Sequence, residues 1–112
     1  MNKNAVSAIP LTSVASTALG TYAAINPNGL PHPCFILKIT NNADADVTIS
    51  YDGTTDNEFV PKQTALLLNV QAGAQPRAFV SLFAQGLKVY VKGTAGMSGS
   101  IYLSGYYLPT GV

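Results

Sequence analysis

Hydrophobic and polar residues alternate most strictly over 46–51, where Val47, Ile49 and Tyr51 share one face and Asp46, Thr48 and Ser50 the other. A two-residue period marks a strand with one covered face. Asp52-Gly53 follows, two residue types that accept positive φ and let the chain reverse. Short β runs of this kind, separated by turn residues, fill most of the chain. Residues 1–20 read as an extended arm. Their apolar positions are too irregular for a helix, Pro10 interrupts them, and one strand falls somewhere within 11–19.

Further strands are predicted at 21–25, 34–40, 46–51, 64–70, 77–84, 87–92 and 100–108, with a brief extended piece at 58–60. Residues 26–33 hold three prolines and a glycine and form a loop. The runs 34–40 and 46–51, joined by Asx-rich 41–45, predict a hairpin. Leu66, Leu67 and Val70 would also suit a helical face, but the run is short and Thr64 and Val70 are β-branched, so strand is expected. Phe79, Val80, Leu82 and Phe83 leave 77–84 almost without polar relief, as in a strand covered on both faces. Three glycines within 93–99 predict a flexible connection. About eight strands at roughly ten-residue spacing indicate an all-β, antiparallel β-sandwich. Eight strands also match a jelly roll of two facing four-stranded sheets. At 112 residues the chain is one domain, in which the arm 1–20 joins a sandwich spanning 21–112.

Composition narrows the setting. Hydrophobic residues make up 47% but charged residues only 10%, against roughly 25% in an ordinary soluble domain. The polar surface must come from Ser, Thr, Asn and Gly, whose neutral groups lose less than charges on burial. Such a chain suits a surface covered by neighbours. Net charge is +1, which supplies no bulk pull toward nucleic acid or anionic lipid, and neither is expected as a partner. All five acids (Asp44, Asp46, Asp52, Asp56, Glu58) lie between positions 44 and 58. They either solubilise a loop-rich edge or meet a basic edge on an adjacent copy. Cys34 is the lone cysteine, expected as a buried thiol. The first twenty residues lack the continuous apolar region of a signal peptide, and no apolar run is long enough for a membrane span.

Candidate chemistry is sparse. His32 is the single histidine, between two prolines, and reads as a rigid exposed side chain more readily than as a catalytic base. With one Cys and one His, a zinc site within one chain is not expected, and no cofactor is implied. Asp52, Asp56 and Glu58 invite calcium, but their spacing does not follow an EF-hand loop, and a solvated acidic turn is the stronger reading. Tyr102 and Tyr106 share one face of the last strand and Tyr107 takes the other. Tyrosines there fit an interface belt better than a sugar platform. Gly105 marks a bulge or a close backbone approach.

The stretch Asn41-Asn42, then Val47-Thr48-Ile49-Ser50-Tyr51-Asp52-Gly53-Thr54-Thr55-Asp56-Asn57-Glu58-Phe59-Val60-Pro61, resembles small structural proteins of tailed bacteriophages. The likeness extends over 64–70 and to the arm rich in small and hydroxyl residues, about half of the chain in all. It implies a virion component on the capsid surface: a decoration or cement protein, jelly-roll-like, bridging capsomers as a dimer or trimer. No catalytic residue comes with that resemblance, and no enzyme activity is expected. The major capsid protein is then the partner, and the gripping segment is expected within 1–20, with Ile9, Leu11, Val14, Leu19, Tyr102 and Tyr106 as interface residues. The competing expectation is a receptor- or glycan-binding head-fibre or tail module that uses the tyrosines and loop 26–33.

Overall fold

The computed structural model describes residues 6–15, 20–69, 83–93 and 98–107. Among them are nine strands and no helix. They are β1 (Ser7–Ala8), β2 (Thr12–Ala15), β3 (Ala23–Ala24), β4 (Ile36–Ala43), β5 (Val47–Ser50), β6 (Glu58–Val60), β7 (Thr64–Asn69), β8 (Tyr90–Lys92) and β9 (Gly99–Tyr107). One antiparallel sheet runs β1-β9-β4-β7, with β2 also on β9; the other runs β3-β8-β5-β6. Inward side chains from both sheets meet in one core: Leu37, Ile39, Ile101 and Leu103 from the first, Val47, Ile49, Val60 and Val91 from the second. The protein is an all-β sandwich, as its alternation predicts.

The expected hairpin between 34–40 and 46–51 does not form. β4 pairs with β7 and β9, while β5 pairs with β6 and β8, so the two runs belong to opposite sheets. The Asx-rich segment is partly strand, since β4 continues through Asn41, Asn42 and Ala43. Leu37, Ile39, Asn41 and Ala43 all point inward and are fully buried. The chain then crosses between sheets at 44–46, and Val47 and Ile49 face the same core from the other side. A sandwich covers both apolar rows in this way, which one two-stranded hairpin does not.

Asn41 holds the crossing. Its Nδ2 donates to the carbonyls of Ala45 (3.0 Å), Val60 (3.0 Å) and Pro61 (3.3 Å), and its Oδ1 accepts from the Ala43 amide (3.0 Å). The hairpin between sequence neighbours is instead β5–β6, closed by the turn that alternation predicts after Tyr51. Gly53 in that turn has φ 84°.

Within the N-terminal arm, β1 and β2 both pair with β9 and so belong to the sheet. Ala8 pairs with Tyr106 and Thr12 with Leu103, so four steps on one strand oppose three on the other. This is a β-bulge, and Pro10 sits in it, where its missing N–H costs no ladder bond. Gly105 keeps regular register with Leu37, so it is a close approach and not a bulge toward β4. A Cβ there would lie 2.8 Å from Leu37 Cδ2 and 3.2 Å from Ile9 Cδ1. Of the apolar run 77–84, all but the last two residues lie outside the described ones. Phe83 forms a two-way backbone bridge with Cys34.

Candidate functional site

Three places bring chemistry together: the outer face of the five-stranded sheet, the acidic loop region, and a cavity beside loop 26–33. On the outer face, cross-strand register sets side chains in rows. Ser13, Tyr102, Thr40 and Ala65 form one row, and Ala8, Tyr106, Ile36 and Asn69 another. Between them lie Ser104, Lys38 and Leu67. Lys38 is the sole charge in these rows. Val6 (55%), Leu11 (63%), Leu67 (63%) and Tyr106 (38%) are exposed apolar or aromatic residues of this chain.

The six residues expected at an interface separate by face. Leu11 and Tyr106 are exposed, and Tyr102 is half-buried on the outer side. Ile9 is buried in the core and Val14 packs against it, because both occupy inward positions along β9. Leu19 lies outside the described residues. Sequence reading missed Val6, Ile36, Lys38 and Leu67 as members of this face. The two-residue period of β7 contains the signal, since Leu66 and Leu68 pack on the core and so turn Leu67 outward.

Each of the five acids has a partner within the chain. Asp44 accepts from the Ser98 amide (2.8 Å) and Asp46 from the Lys62 amide (2.9 Å). Asp52 accepts from the Thr55 and Thr54 amides (2.8 and 2.9 Å) and from the Ser50 hydroxyl (2.8 Å). Those bonds hold its carboxyl well below the usual carboxylate range. Asp56 accepts from the Tyr22 hydroxyl and pairs with Lys92 at 3.4 Å, and its carboxyl is likewise lowered, by Tyr22 first. Burial first, then the charge of the Glu58 carboxylate, pushes the Tyr51 hydroxyl up to about 12. Asp44, Asp46 and Asp52 therefore cap backbone amides of turns and loops, Asp56 and Glu58 face side chains, and no three potential ligands cluster for a metal among the described residues.

His32 stacks on Tyr107, with ring centroids 3.9 Å apart and planes 9° from parallel. The buried Cys34 thiol donates to the backbone carbonyl of His32 (3.3 Å), and burial pushes it up. Thiol and imidazole thus serve separate contacts. Nearby, the β1–β2 bulge and loop 26–33 border a cavity of about 280 Å³. Ile9, Pro10, Leu30 and Pro31 supply its apolar wall, with Thr12, Asn26, Asn28 and Gly29 completing it. Comparison with protein-family models, curated proteins and solved structures finds no match to this chain.

Proposed function

We infer that the protein is a virion structural component, a capsid decoration or cement protein that attaches through the outer face of the five-stranded sheet. The observation that carries this reading is the neutral, aromatic-bearing character of that face, with Leu11, Leu67 and Tyr106 exposed around one lysine. Interface cores are depleted in charge and enriched in tyrosine, and this face has that composition. Strand order adds support. The order β2-β9-β4-β7 opposite β3-β8-β5-β6 agrees with a jelly roll, an architecture that recurs in viral capsid and lectin domains. Many copies on one shell act together, so a modest contact per copy suffices. The major capsid protein is the proposed partner, and self-association as a dimer or trimer belongs to the same reading.

The receptor- or glycan-binding alternative draws less support. Tyr102 and Tyr106 lie on the outer face, apart from the mostly apolar cavity that loop 26–33 borders.

Co-sedimentation with assembled particles tests the proposal. Wild-type protein is expected to bind at a fixed copy number, and Leu67→Asp with Tyr106→Asp to abolish binding while the fold is retained. Equal occupancy by the double variant, or no occupancy by the wild type, would overturn it. Deleting residues 1–12 is a poorer test, because it removes β1 and takes Ile9 from the core.

A further inference from the structure

The cavity between the β1–β2 bulge and loop 26–33 is preformed. Asn26 donates to the Leu87 carbonyl (3.0 Å) and accepts from the Val89 amide (2.8 Å), which fixes the start of the loop. Leu30 and residues 86–87 exchange two backbone bonds of 3.0 and 2.8 Å. Gly29, at φ 79°, lies so close to Gly86 that an added Cβ would stand 2.6 Å from its carbonyl oxygen. Pro10 and Pro31 have fixed φ. A ligand entering here does not have to order the walls, which removes a main cost of binding.

Size and polarity define what fits. A cavity of about 150 Å³ holds benzene. At about 280 Å³ this one has room for a ring with a substituent. Among the described residues no ionisable side chain lines it, so a charged ligand would lose its hydration there without compensation. The Asn26 amide is already used by the backbone. Thr12 Oγ1 is enclosed and has no hydrogen-bond partner among the described residues, although Thr12 lines the cavity. A turn about its Cα–Cβ bond costs no hydrogen bond among the described residues. A sugar, with many hydroxyls, would leave most of them unpaired against this wall.

We propose that this cavity binds a small neutral six-membered ring carrying one hydroxyl group, with Thr12 as its hydrogen-bond partner. The site is independent of the outer-face reading and stands or falls separately from it.

Amide-resolved NMR titration with para-cresol and with toluene tests it on the full chain. Para-cresol is expected to give saturable shifts at Ile9, Gly29 and Leu30. Thr12→Val should weaken para-cresol roughly tenfold, the size of one hydrogen bond, and leave toluene unchanged. Thr12→Ser, which keeps the hydroxyl, should retain the preference for para-cresol. Absence of saturable shifts at those three amides overturns the proposal. So does a Thr12→Val substitution that leaves para-cresol binding unchanged, or that weakens para-cresol and toluene by the same factor.

Discussion

An asparagine in an inward row of a strand is costly unless all its polar atoms are paired. Asn41 is fully buried and meets that condition through four backbone partners around the β4–β5 crossing. Asn26, also buried, ties loop 26–33 to residues 87–89 in the same manner. Asn41→Leu keeps the branched heavy-atom shape but orphans several backbone groups, and is expected to cost about 3 kcal/mol in urea unfolding. The acids are more exposed. Asp52 and Asp56 have lowered carboxyl pKa values in the folded chain, so their stabilisation is present above roughly pH 4 and is lost as pH falls through the folded values. Asp52→Asn is expected to flatten the loss of stability on acidification, measured by thermal unfolding across the acid range. The partners of Asp52 lie in its own turn, whereas those of Asp44 and Asp56, Ser98 and Tyr22, are distant in the chain and not legible in the sequence.

At the level of elements, two glycines carry sharp constraints of different kinds. Gly53 turns the β5–β6 hairpin at positive φ, and its Cα faces the Tyr90 ring. Gly53→Val is expected to cost about 1–3 kcal/mol from backbone strain, read as a lowered denaturation midpoint. Gly105 is limited by space: Gly105→Val would push Leu37 and Ile9 apart and cost about 1–3 kcal/mol through overpacking. The turn at 52–53 could be read directly from Asp-Gly chemistry. The bulge at Pro10 could not, because it appears only once β1 and β2 are registered on β9.

Across the whole molecule, pairing is dominated by strands far apart in sequence: β2 with β9, β3 with β8, β4 with β9. Loop closure must precede the reward from such contacts, so refolding is expected on the millisecond-to-second scale, measurable by stopped-flow dilution from denaturant. The same topology assembles the outer face, drawing Leu11 from the N-terminal segment, Lys38 from β4, Leu67 from β7 and Tyr106 from β9. That face bears the functional proposal, and no single stretch of chain announces it.

Alternation and turn chemistry are local, and they were sufficient for the class of fold, the positions of most strands and the reversal after Tyr51. They also separate the two faces of each strand, because a two-residue period is a property of the backbone alone. Which strands pair is a different question. Both edges of β4 are filled by distant strands, and β5 finds its partners in the opposite sheet, because that arrangement buries the inward rows of both sheets against each other. The outer face, the cavity and the partners of the acids all follow from that pairing, and they come into view with the packed sandwich.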